Sequence, residues 1–245
     1  MTPFIAELIG TFLLLFIGGG VVANVVLDGT KGNGPGGWMV ITTAWALAVY
    51  IGVVVSSPYS GAHLNPAVSV GLAVAGEFAW TEVPMYILAQ VIGAFFGALA
   101  TWVMYFDHFN ITEDQGTKLG VFSTIPAIRN YPSNFINEAL GAFVLVFVVL
   151  FFTDAGFTDG GEDVVVGLGS LGALPVALLI WGIGLGLGGT TGYAINPARD
   201  FGPRLFHALA PIKGKGKSDW AYAWVPILGP LVGGALAGGL ALVLS

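Results

Sequence analysis

Two asparagines, Asn65 and Asn196, offer the most distinctive chemistry in this sequence. Each opens an Asn-Pro-Ala triplet, Asn65, Pro66 and Ala67 in one case and Asn196, Pro197 and Ala198 in the other, and each follows Ser/Thr-Gly and three further residues. The two asparagines lie 131 positions apart. Asparagine is a preferred helix N-cap and proline suits the first helical position, so the apolar run after each triplet reads as a helix start. A side-chain oxygen that accepts from the helix's free N–H groups holds the amide still. Both hydrogens of its nitrogen are then left as aimed donors for a ligand oxygen. The helix macrodipole adds roughly half a positive elementary charge at the same end, which disfavours cations there.

Other polar side chains invite plainer readings. Glu7 and Glu138 fall within apolar runs, where an ionisable group is by default functional and paired. His63 stands two residues before Asn65 with no carboxylate beside it in sequence, which makes it a positional residue rather than a proton relay. Lys213, Lys215 and Lys217 read as a solvated loop. Gly93 with Gly97 and Gly234 with Gly238 have the spacing that lets membrane helices approach closely, a weak signal in so glycine-rich a chain. No nucleophile-base arrangement, metal-ligand cluster or phosphate-binding loop is present, so neither an enzyme nor a cofactor is expected. The absence of Cys removes disulfide and thiolate chemistry.

The elements that must position these residues follow from composition. The chain has 245 residues, of which 56% are hydrophobic and only 9% charged, with a mean hydropathy of +0.85. A soluble domain needs far more charge on its surface, and a net charge of −6 argues against a nucleic-acid partner. Apolar stretches at 4–27, 38–56, 83–106, 134–153, 165–187 and 220–244 are each long enough to cross a hydrocarbon core of about 30 Å. The first lacks a basic leader and a small-residue cleavage site, so it reads as a retained span. The runs after the triplets, 66–75 and 197–208, reach only about half that depth at 1.5 Å per residue and cannot span alone.

The second half repeats the first. Phe4, Glu7, Gly10 and Phe12 recur as Phe135, Glu138, Gly141 and Phe143, at the same offset of 131 that relates the triplets. Three spans per copy is an odd number, so consecutive copies enter the membrane in opposite directions and the repeats are inverted. The expected architecture is one transmembrane domain, 1–245, with repeats about 1–106 and 134–245 joined by a polar connection at 107–133. The two short helices then meet with their N-termini face to face near the midplane. The irregular backbone before each is tolerable at that depth only beside a water-filled cavity or buried in protein, which suggests a pore.

With these motifs the chain resembles the aquaporin superfamily over essentially its whole length, and within it the glycerol facilitator branch. The resemblance implies an all-α membrane protein of six transmembrane helices and two re-entrant half-helices in inverted repeats. It implies a selectivity filter of Trp45, Gly184, Tyr193 and Arg199, and a path lined by backbone carbonyls of Gly61, Ala62, His63, Leu64, Gly192, Ala194 and Ile195. Glu7 and Glu138 are expected to brace the loops before the half-helices. Asp200, directly after Arg199, is a feature of the glycerol branch. In members resembling strict water channels a His stands at the position of Gly184, so Gly184 is expected to widen the filter. Tyr193 departs from the branch, where Phe is commoner.

The implied activity is passive conduction of glycerol and other small uncharged solutes, and of water, with protons and ions excluded. The alternatives are a strict water channel and, less favoured, a secondary transporter, which needs titratable groups near the midplane that Glu7 and Glu138 do not supply. The implied setting is the lipid bilayer of the plasma or inner membrane, as a homotetramer with both termini cytoplasmic. Charge opposes that orientation. All eight Lys and Arg fall on the face that the resemblance makes external, while the other face carries Asp154, Asp159, Glu162 and Asp163. The resemblance is followed here, because Arg199 and Arg204 belong to the half-helix itself.

Overall fold

A computed structural model describes residues 1–159 and 162–244. The first repeat comprises helices α1 (Pro3–Val26), α2 (Gly37–Ser60), the short α3 (Pro66–Val74) and α4 (Val83–Met104). Two short helices follow, α5 (Phe106–Ile111) and α6 (Gln115–Phe122), and then come α7 (Tyr131–Leu150), strands β1 (Gly156–Asp159) and β2 (Glu162–Val165), α8 (Leu174–Leu187), α9 (Pro197–Leu209) and α10 (Trp220–Leu244). Among the described residues, six helical segments are long and apolar enough to cross a membrane, the fifth being Gly169–Leu187, which joins a 3-10 turn to α8. Their outward faces are as apolar as their composition predicts, with Leu47, Leu88, Phe96, Val103, Leu178 and Leu236 all exposed.

Two expectations are corrected. The second span runs four residues beyond 56, through Pro58 to Ser60. Proline removes one N–H without unwinding the chain, and the stop comes from Gly61, which at φ 76° turns left-handed and donates its N–H to the Ser57 carbonyl at 3.1 Å. The fifth span begins at 169 rather than 165, because the residues before it pair as an antiparallel hairpin in which Gly156 faces Val165 and Asp159 faces Glu162. Positions 160 and 161 of that loop lie outside the described residues. The polar 107–133 connection holds α5 and α6, and α6 is capped by Asp114, which accepts from Thr117 N–H at 2.6 Å.

Packing follows the repeat. Helix α1 lies against α4 and α7 against α10, while the half-helices cross over, α3 resting on α10 and α9 on α4. The small-residue pairs serve these internal contacts. A Cβ on Gly97 would stand 2.8 Å from the Phe12 carbonyl oxygen of α1, and one on Gly234 or Gly238 would strike the backbone of Ala67 or Gly71 in α3. The helices therefore approach at backbone distance inside one chain.

Candidate pore and constriction

Each half-helix begins as its sequence predicts. Asn65 Oδ1 accepts from Ala67 N–H at 2.9 Å, and Asn196 Oδ1 accepts from Ala198 and Arg199 N–H at 3.0 and 3.1 Å. The amide nitrogens then depart from expectation. Asn65 Nδ2 donates to the Ile195 carbonyl and Asn196 Nδ2 to the Leu64 carbonyl, both at 2.9 Å. Each asparagine thus spends one hydrogen on stitching the two repeats together and keeps one as a free donor. The Leu64 and Ile195 carbonyls of the expected path each accept one of these bonds, and each keeps a second lone pair.

The loops that lead to the asparagines are strained in matching places. Ala62 and Leu64 have φ of 56° and 51°, and Tyr193 and Ile195 have φ of 37° and 42°. Residues with a Cβ rarely enter this region, at a cost of roughly 1–2 kcal/mol each, and the alternation rotates successive peptide planes. Two buried carboxylates hold it. Glu7 Oε1 accepts from Ser60 Oγ and His63 N–H at 2.7 and 2.9 Å, and its Oε2 accepts from Leu64 N–H and Gln90 Nε2 at 2.7 and 2.8 Å. Glu138 accepts from Ala194 and Ile195 N–H at 3.0 and 2.7 Å. The repeated glycines explain themselves here: a Cβ on Gly10 would meet Leu64 Cδ2 at 2.6 Å, and one on Gly141 would meet Ile195 Cγ2 at 2.8 Å. Without a side chain at those positions, the left-handed residues have somewhere to put theirs.

A cavity of about 250 Å³ runs along this seam, lined among others by Phe152 and Gly172 at one end, Asn65 and Asn196, and Arg199, Trp45 and Tyr193. Gly61, Ala62, His63, Leu64, Gly192, Ala194 and Ile195 all border it, with apolar Val49, Val68, Leu145 and Ile180 opposite. His63 is fixed by its surroundings. Its Nδ1 is 3.0 Å from Ser69 Oγ, and its ring packs on Phe78 and Tyr86 at 4.5 and 4.8 Å between centroids.

Where the filter is expected, the Arg199 guanidinium carbon lies 4.4 Å from the Trp45 ring centroid, so the polar and aromatic walls meet along one side. Arg199 Nη1 donates to the Phe122 carbonyl at 3.1 Å. Gly184 is corrected. It does not border the cavity, because the Tyr193 ring covers it: a Cβ on Gly184 would stand 2.9 Å from Tyr193 Cζ and 3.0 Å from Thr42 Cγ2. Trp38 supports that ring edge-on at 5.8 Å and donates its Nε1–H to the Gly184 carbonyl at 3.2 Å. The Tyr193 hydroxyl is buried without a hydrogen-bond partner.

Sequence reading passed over several participants. Trp38, Phe122 and Gln90 come from helices distant in sequence, and nothing local marks them. Lys215 was expected in a solvated loop. Its ammonium instead caps the end of α9, donating to the carbonyls of His207 and Ala208 at 2.6 and 2.8 Å and to that of Ala210. Burial lowers its pKa from the usual lysine value.

Comparison with known proteins agrees with the fold. The family described as major intrinsic protein matches residues 1–241. The probable glycerol uptake facilitator protein of Thermotoga maritima is 50% identical over 240 residues, covering 98% of each chain. Glycerol uptake facilitator protein 3 of Lactiplantibacillus plantarum is 54% identical over 232 residues, 95% of this chain and 92% of the relative. Among solved structures, the X-ray structure of the aquaglyceroporin from Plasmodium falciparum superposes with a TM-score of 0.79 at 34% identity, over 96% of this chain and 92% of that one.

Proposed function

This chain belongs to the major intrinsic protein family, and on that premise we propose that it is a passive membrane channel for glycerol and other small uncharged solutes, open to water and closed to protons and other ions. The observation that carries the reading is the cavity that passes two opposed helix N-termini and is bordered by Arg199, Trp45 and Tyr193. A solute entering the constriction sheds water. Its hydroxyls must find partners at once, since a neutral hydrogen bond contributes only about 0.5–1.5 kcal/mol net but a buried unmade one costs about 1–3 kcal/mol. Arg199 and the loop carbonyls supply those partners on one side. The rings of Trp45 and Tyr193 receive the CH edge on the other.

At the midplane the free hydrogen of each Asn65 and Asn196 amide fixes a passing oxygen as an acceptor. A water held so by two donors cannot relay a proton along the file, and the positive helix ends oppose cations, a barrier for which aquaporin-type pores are themselves the general example. Glu7 and Glu138 both accept hydrogen bonds from the loops before the half-helices, Glu7 from Ser60 and Gln90 as well, which favours a channel over an ion-coupled transporter. Both termini are read as cytoplasmic, the assembly as a homotetramer of separately conducting chains, and the residence as a cell membrane.

Stopped-flow light scattering of proteoliposomes tests the reading. Glycerol and water should both cross faster than in empty vesicles, without saturation and without any ion gradient. Ionic current in planar bilayers should be negligible, and a robust pH-driven current would sink the mechanism. One observation favours a second reading: the Tyr193 ring occupies the space beside Gly184, as a larger side chain there would. Fast water flux with glycerol excluded would make the protein a strict water channel.

A further inference from the structure

We infer that Asp200 is the positioning residue of the constriction, holding Arg199 in place through the segment 122–124; the inference rests on the channel reading above. Asp200 is fully buried and does not line the cavity. Its Oδ2 accepts from both the backbone N–H and the hydroxyl of Thr124, at 2.9 Å each. Arg204, also fully buried, donates Nε to Asp200 Oδ1 at 2.7 Å and Nη2 to Oδ2 at 2.9 Å. Its remaining bonds go to the carbonyls of Ser218 at 2.8 Å, Asp219 at 3.1 Å and Thr124 at 3.3 Å. One carboxylate and one guanidinium on adjacent turns of α9 therefore clamp the stretch after α6 and the stretch before α10.

The clamp reaches the pore by a short route. Two residues before Thr124 stands Phe122, whose carbonyl takes Arg199 Nη1 at 3.1 Å. That is the hydrogen bond that fixes the guanidinium among the described residues, and the other N–H groups of Arg199 are left for solute. Displacing segment 122–124 frees the guanidinium to swing on its Trp45 stack. The inverted repeat supplies an internal control. At the positions 131 earlier stand Val68, Ser69 and Ala73 in place of Arg199, Asp200 and Arg204. Ser69 there meets His63 and Gln90 instead, at 3.0 and 3.2 Å. The charged set occurs only at the end of the path that carries the filter arginine. A clamp required for folding alone would have a counterpart in the other repeat.

The test reads selectivity as a ratio, which does not depend on how much protein is active. In proteoliposomes, the permeability of the four-carbon polyol erythritol is measured against that of glycerol. Thr124→Val removes one of the two bonds to Asp200 and should raise the ratio about threefold. Thr124→Ser keeps the hydroxyl and should return the wild-type ratio. Arg199→Val should raise the ratio at least as much, and Thr124→Val added to Arg199→Val should change nothing further, since the first acts through the second. If Thr124→Val does not assemble, Thr124→Ala is read in the same way. A conducting Thr124→Val or Thr124→Ala protein with the wild-type ratio, or a full additive shift in the double variant, overturns this inference and leaves the channel reading standing. A wild type that conducts no polyol overturns both.

Discussion

At the scale of single residues, Gly184 shows how one position depends on another. Sequence comparison assigns it the task of leaving room in the filter, but the room is already taken by Tyr193, whose Cζ stands 2.9 Å from where a Cβ would be. Gly184→His alone therefore cannot seat an imidazole without driving the tyrosine ring into the path, and both glycerol and water flux should fall by more than about tenfold, since overpacking costs about 1–3 kcal/mol. Combined with Tyr193→Thr, the same histidine has space, and water flux should return while glycerol flux does not. Swelling assays on the single and double variants decide this; a single variant that loses glycerol flux but keeps water flux would contradict it. Glu138→Gln tests the other end of the argument. An amide can accept from only one of the two backbone N–H groups that Glu138 now receives and turns its own NH₂ toward the other, so one buried donor is orphaned. Thermal unfolding in mild detergent should show a loss of about 1–3 kcal/mol, and an unchanged midpoint would mean that the strained loop holds itself.

At the scale of elements, the glycines sort by what they face. Gly97 on α4 touches the α1 backbone, and Gly233 on α10 touches that of α7 at Ala139, whereas nothing lies near a Cβ on Gly182 or Gly186 of α8. Gly97→Ala should thus destabilise the fold by about 1–3 kcal/mol and Gly186→Ala should not, as read from thermal midpoints of the purified variants. Equal effects at the two positions would show that composition rather than contact explains the glycines. The half-helices depend on the same logic. At nine and thirteen residues α3 and α9 are too short for secure stability alone, and they persist because α10 and α4 pack on them and because their N-caps are tied across the midplane.

At the scale of the whole molecule, orientation sets two physical rules against each other. The positive-inside bias would put the face with Lys118, Lys213 and Lys217 in the cytoplasm, yet most of its cations are committed to structure rather than to loops in water: Arg204 to Asp200, Lys215 to the end of α9, Lys118 to the Lys213 carbonyl at 2.6 Å and Arg129 to Asp219. Charges spent on tertiary contacts are weak topogenic signals on this argument. The chain has no native Cys, so single cysteines at Glu113 and Asp159 can be labelled with an impermeant reagent on intact cells. Labelling is expected at 113 only, and the reverse pattern would hand the decision to the charge count. For assembly, native mass spectrometry in mild detergent should find a tetramer; a monomer with full activity would show that the small-residue pairs, being used inside the chain, leave no strong contact between copies.

Patterns that are local or periodic were legible from the amino acids alone: six apolar spans, two half-length helices, the offset of 131 that relates the repeats, the odd span count that inverts them, and the N-caps at Asn65 and Asn196. They were legible because helix length against bilayer thickness and Asn-Pro at a helix start act over a few residues. Tertiary structure decided what two distant segments do to each other. It gave one amide hydrogen of each asparagine to the opposite loop, filled the space at Gly184 with Tyr193, turned a lysine from a supposed solvated run into a helix cap, and joined Asp200 to Arg199 by way of Phe122. A hydrogen bond forms wherever donor and acceptor meet in space, and their separation along the chain carries no trace of that meeting.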